Sequence, residues 1–116
     1  MHELAVADNI VNAVLAEMQR RGLSSVATVA VRVGALTDIV PDALEFGFEI
    51  LTRETALAAT KLKIDRIPCQ GRCRDCGKDF EVQECVFVCP HCQSCDIQMT
   101  RGNELDIAYI EVDDGS

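Results

Sequence analysis

The chain has 116 residues, of which 48% are hydrophobic and 26% charged, a composition that suits one soluble globular domain, or one domain with a small satellite, and excludes a large enzyme. Nineteen acidic against eleven basic residues leave a net charge of -8, which repels phosphate backbones and argues against a nucleic-acid partner. No apolar run approaches the roughly 20 residues needed to span a bilayer, and Met1-His2-Glu3 lacks the basic start and apolar centre of a signal peptide, so a cytoplasmic protein with no membrane partner is expected.

In chain order, Leu4, Ala7, Val11, Val14, Leu15 and Met18 recur at the spacing of one helical face, and Gly22 supplies a stop. From Val26 to Val33 the alternation of Val29, Val31 and Val33 with Thr28, Ala30 and Arg32 reads as a strand ended by Gly34. Thr37 or Asp38 is the expected cap of a second helix, with Pro41 in its first turn. Leu44, Phe48 and Leu51 lie on one side of that helix, and Phe46 and Ile50 widen the stripe. Lys61 to Ile67 alternates as a strand, with Leu62 and Ile64 facing one way, and Pro68 closes it. Gly102-Asn103 reads as a turn, and Leu105 to Val112, with Ile107, Tyr109 and Ile110, as a last strand before the polar tail Asp113 to Ser116.

All seven cysteines fall between Cys69 and Cys95, a clustering that in a reducing compartment points to metal rather than to disulfides spread over a fold. Cys73-Arg-Asp-Cys76 and Cys89-Pro-His-Cys92, separated by twelve residues, each have the gap that lets two thiolates reach one ion, and together they supply the tetrahedral sulfur set of a structural zinc. Gly77 stands where a knuckle turn needs positive φ, and Phe80-Glu-Val and Val86-Phe-Val fit a short hairpin carrying the two turns. A register using Cys92 and Cys95 is the alternative, His91 is a further donor type inside the second knuckle, and Cys69, Cys85 and Cys95 are read as spectators. Four thiolates fill every position and leave none for a reacting water, so no catalytic residue and no enzyme is expected.

The expected fold is α/β: two helices packed on a small three-stranded sheet, with an inserted zinc-ribbon-like subdomain. Residues 1-68 and 103-116 form the α/β domain, and residues 69-102 form the insert. At the amino terminus the amine, the backbone nitrogens of His2 and Glu3, and the His2 imidazole can wrap a divalent ion in a plane of nitrogens, a geometry suited to nickel(II) or copper(II). A frayed terminal histidine is the plainer reading of His2. Asp38, Asp42 and Glu45 are carboxylates that either complete such a shell or cap a helix.

Met1-His2-Glu3-Leu4, Val33-Gly34-Ala35-Leu36, Phe46 to Leu51, the two cysteine knuckles, Gly102-Asn103-Glu104-Leu105 and Ile110-Glu111-Val112, in this order, resemble the HypA/HybF family of hydrogenase nickel-incorporation proteins over nearly the whole chain. The resemblance implies a nickel metallochaperone: an α/β nickel-binding domain with an inserted zinc domain, acting with a GTPase partner to load nickel into the large subunit of nickel-iron hydrogenase. It implies His2 and Glu3 as nickel-binding residues, and Cys73, Cys76, Cys89 and Cys92 as zinc ligands. A zinc-ribbon adaptor that binds protein without carrying a transferable metal is the competing reading.

Overall fold

The computed structural model describes residues 3-83 and 86-112. His2 and Cys85 therefore lie outside the described residues. Helix α1 (Glu3–Arg21) buries Val6, Ala7, Ile10, Val11, Val14 and Met18. Val6 and Ile10 thus belong to the core face, while Leu4, expected there, is 54% exposed. The helix stops where expected: Gly22 takes φ 69, and the Leu23 N–H donates to the Met18 carbonyl at 2.8 Å, the closing bond of a glycine-terminated helix. Arg20 and Arg21 in the last turn complement the negative end of the helix dipole.

Strand β1 (Thr28–Gly34) leads to α2 (Pro41–Thr52), and α2 leads to β2 (Lys61–Ile67), which pairs parallel with β1. A parallel pair needs a crossover, and α2 supplies it. Neither Thr37 nor Asp38 caps α2: the cap position is Val40, with no side-chain cap bond. Thr37 instead builds the preceding turn, its hydroxyl donating to the Gly34 carbonyl at 2.9 Å and accepting from the Ile39 N–H at 3.4 Å. Asp38 sits in that turn at φ 61. Leu44 and Phe48 are buried to within 2%, each worth about 2 to 3 kcal/mol of apolar burial. Phe46 and Ile50, expected to widen the buried stripe, are 59% and 41% exposed. Core-facing positions on α2 are set by contact with the sheet and with α1, and the apolar stripe is wider than that contact.

The chain then leaves the first sheet, forms β3 (Gln70–Cys73), β4 (Asp79–Glu81) and β5 (Ile97–Arg101), and returns as β6 (Leu105–Glu111). Two three-stranded sheets result, ordered β2-β1-β6 and β4-β3-β5. The hydrophobic core gathers both helices against the first sheet, with Leu62, Ile64, Leu105, Ile107 and Ile110 packed on it. A register shift against Ala30 and Val31, which passes over Ala108, moves β6 from Ile107 to Ile110 on the core side and leaves Tyr109 43% exposed.

Among the described residues, Val86-Phe-Val is not a strand and does not pair with Phe80-Glu-Val as expected. Strand β4 pairs with β3 instead, and Val86 and Phe87 are 55% and 38% exposed. The shorter closure from Cys73 to Asp79 outcompetes the intrinsic strand preference of the valines. Overall extents of 55 × 25 × 20 Å fit two sheets following one another along the long axis rather than stacked in layers.

Candidate metal centre

The two cysteine knuckles fold alike. The Cys73 N–H donates to the Lys78 carbonyl at 3.0 Å and the Cys73 carbonyl accepts from the Gly77 N–H at 2.8 Å; Cys89 repeats both bonds with Ser94 at 2.9 Å and Gln93 at 2.8 Å. Gly77 has φ 76, as its place in the turn demands, and Gln93, the matching residue of the second knuckle, has φ 65. This tight turn turns backbone N–H groups toward sulfur: Cys76 N–H donates to Cys73 Sγ and His91 N–H to Cys89 Sγ, both at 3.4 Å. The knuckles are tied together by the Arg74 N–H on the Asp96 carbonyl at 2.9 Å and by the Ser94 hydroxyl on the Asp75 carboxylate.

The sulfurs of Cys73, Cys76, Cys89 and Cys92 consequently lie within 4.8 Å of one another, with Cys73 to Cys92 at 3.5 Å and Cys76 to Cys89 at 3.6 Å. A tetrahedron with zinc-sulfur bonds of about 2.3 Å has edges of about 3.8 Å. The cluster therefore fits a structural zinc ion. Cys73 and Cys89 are fully buried, whereas Cys76 and Cys92 face solvent.

The thiols do not ionise alike without a cation. Burial pushes Cys89 up, but the N–H groups of Cys92 and His91 and the neighbouring thiols outweigh it and bring it down to about 6. Cys92 accepts a backbone N–H from Ser94, yet the sulfurs of Cys73 and Cys89 and partial burial drive it up to about 12. Cys73 is lowered, chiefly by the Cys76 N–H; Cys76 accepts a bond from the Lys78 N–H, which lowers it, but burial and hydrogen bonding with the Cys89 and Cys73 sulfurs outweigh this and raise it. Clustered sulfurs thus hold some of their protons until a dication compensates the repulsion, which makes metal binding release protons.

Cys95 is exposed and stands apart from the four-sulfur cluster, so the geometry assembles the register of Cys89 with Cys92 rather than Cys92 with Cys95. The His91 side chain is exposed, and its backbone N–H serves the site. Cys69 is buried and lies 3.2 Å from Met99 Sδ, at the root of the insert rather than at its metal end.

Of the expected amino-terminal site, Glu3 is described: it opens α1, and its Oε1 accepts the Val40 N–H at 3.3 Å. Asp38, Asp42 and Glu45 are exposed, and Asp42 lies in the first turn of α2. Sequence reasoning missed the contact between the starts of the two helices, because its partners are 37 residues apart and one of them is a backbone N–H with no residue signature.

A family model described as hydrogenase/urease nickel incorporation, metallochaperone, HypA, matches residues 1-112. The chain belongs to the HypA family. Among its HypA relatives, the hydrogenase maturation factor HypA of Desulfitobacterium hafniense is 33% identical over 114 residues, covering 98% of this chain and all of that protein. That of Geobacter metallireducens is 36% identical over 113 residues, covering 97% of this chain and all of its own length. The hydrogenase maturation factor HybF of Klebsiella pneumoniae is 34% identical over 111 residues, with 96% and 98% covered. The solution structure of the nickel metallochaperone HypA from Helicobacter pylori has the same fold, with a TM-score of 0.67 at 22% identity and 97% of each chain covered. Membership assigns the chain to nickel-incorporation metallochaperones that serve hydrogenase maturation, and the four-cysteine cluster is the metal centre found among its described residues.

Proposed function

We propose that this HypA-family chain binds nickel(II) at its amino terminus and delivers it during maturation of nickel-iron hydrogenase, while one zinc held by Cys73, Cys76, Cys89 and Cys92 keeps residues 69-102 folded. The family match across residues 1-112 carries this reading. Nickel sits in a plane formed by the Met1 amine, the backbone nitrogens of His2 and Glu3, and the His2 imidazole. Residues 1-68 and 103-116 form the nickel domain, a hydrogenase-maturation GTPase and the hydrogenase large subunit are the partners, and the work is done in the cytoplasm. Among the described residues no helix is long and apolar enough to cross a membrane. The division of labour follows from coordination chemistry: four thiolates bind zinc as part of folding, whereas a terminal nitrogen site can release its ion.

The test is a calorimetric nickel titration of the untagged chain, of the chain with an amino-terminal extension, and of His2→Ala. The extension converts the terminal amine into an amide and spares the imidazole; His2→Ala does the reverse. Both abolish or greatly weaken nickel binding while zinc content and helix signal stay unchanged. Unchanged affinity in His2→Ala rejects the site and favours the zinc-ribbon adaptor.

A further inference from the structure

The outer faces of α1 and α2 meet in a shallow groove of about 470 Å³ lined by Leu4, Ala5, Asp8 and Leu51. The helices are in contact there at Gly47, where a Cβ would meet Ala7 Cβ and Leu4 Cδ1 at 3.4 Å, ordinary van der Waals distance. Phe46 and Ile50, one turn apart on α2 and adjacent in sequence to Gly47 and Leu51, add two large apolar side chains to the exposed side of that helix; with Leu4 they are 59%, 41% and 54% exposed. Large apolar side chains grouped this way mark interaction sites, whereas singly scattered ones do not.

Charge identifies the occupant. Between Glu3 and Gln19, and again between Ala35 and Thr52, the chain has seven carboxylates and no lysine or arginine; the first cationic side chains are Arg20, at the far end of α1, and Arg53, the single cation at the C-cap of α2 two residues beyond Leu51. Asp8 lines the groove itself. A second copy would bring this carboxylate field against itself, and an anionic lipid surface would be repelled in the same way. An apolar strip under acidic rims instead matches a helix whose apolar stripe is flanked by lysine and arginine.

We propose that the α1-α2 groove with Phe46 and Ile50 is a docking surface for a basic amphipathic helical segment of a partner protein. The apolar stripe of that segment covers Leu4, Phe46 and Ile50, and its cationic flanks face Asp8, Asp42 and Glu49. This surface lies on the outer side of the helices and requires no metal, so it stands or falls apart from the nickel reading.

The probe is a labelled leucine-lysine peptide about 14 residues long patterned as an amphipathic helix, with a scrambled peptide of the same composition as control. Both are titrated against the full zinc-loaded chain at physiological salt. The patterned peptide binds at least about tenfold tighter than the scrambled one. Phe46→Ser with Ile50→Ser, which leaves charge unchanged, removes that advantage, whereas Val86→Ser with Phe87→Ser, at the other exposed apolar run, keeps it. Asp8→Lys with Glu49→Lys keeps the apolar strip and weakens the patterned peptide by about tenfold or more. Equal affinity for the two peptides means charge attraction alone and overturns the proposal. So does indifference to the Phe46 and Ile50 changes or to the charge reversals. A self-associated species in sedimentation that the serine changes abolish assigns the strip to a second copy and overturns it equally.

Discussion

Gly34 and Gly102 meet backbone to backbone: a Cβ on Gly34 would stand 2.0 Å from the Gly102 carbonyl oxygen. Around this contact the Gly34 N–H donates to the Glu104 carbonyl at 2.7 Å, the Ala35 N–H to the Ile67 carbonyl at 2.9 Å and the Leu36 N–H to the Gly102 carbonyl at 2.9 Å. The turn after β1 therefore clasps both connections running to and from the second sheet. Gly34→Ala forces backbone apart and destabilises the chain by about 3 kcal/mol or more. Gly22→Ala, at φ 69 with nothing within 4 Å, costs only the left-handed conformation, about 1 kcal/mol. Urea unfolding of the two variants should show this order; equal losses would remove the clasp.

Zinc content separates the cysteines by position. One tightly bound zinc per chain is expected, because Cys73, Cys76, Cys89 and Cys92 form a single cluster. Cys73→Ser or Cys89→Ser loses the ion and unfolds the insert, while Cys95→Ser keeps it. Elemental analysis checks all three, and zinc loss in Cys95→Ser with retention in Cys89→Ser would restore the shifted register.

Glu3 offers a test of position against ligation. Its carboxylate accepts the Val40 N–H, a bond that a glutamine carbonyl can also accept. If the side chain's task is to hold the starts of α1 and α2 together, Glu3→Gln keeps nickel affinity and Glu3→Ala weakens it. Loss of nickel in Glu3→Gln as severe as in Glu3→Ala would make the charged carboxylate itself a ligand.

Glu104 links the clasp to pH. Its own N–H and the Gly102 N–H hold its carboxyl below the ordinary 4.5, with Arg101 and Arg32 adding to the effect. A lowered folded value means stability that is present above the unfolded value and lost as pH falls through the folded one. Glu104→Gln should therefore differ from the parent at neutral pH and converge with it in acid. Midpoints of paired urea titrations read this directly, since zinc loss in acid affects both chains alike; a constant difference across the range would refute it.

Glu111 to Lys61 and Cys69 to Met99 illustrate what a one-dimensional pattern leaves out: the first residues flank opposite sides of Thr28 through strand pairing, and the second two meet across the root of the insert. The helices, β1, β2 and the return strand were legible because burial on one face imposes periods of 3.6 and 2 on the residues themselves. The step at Ala108 broke that period inside β6, and the Val86 to Val88 run carried strand propensity without a strand to pair with.

By itself the sequence determined the chemistry of the metal centre, since Cys-x-x-Cys spacing and the glycine after the first pair constrain a local turn whose geometry depends on few neighbours. It also determined the resemblance to the HypA family, which the family match to residues 1-112 bears out. Only the tertiary structure decided that Cys89 joins Cys92 in the four-sulfur cluster while Cys95 stands outside it, that Gly34 is glycine because Gly102 approaches it, and that Phe46 and Ile50 face solvent. Each of these depends on which surfaces meet in space. A residue's type limits what it can touch, and the packing of distant segments selects what it does touch.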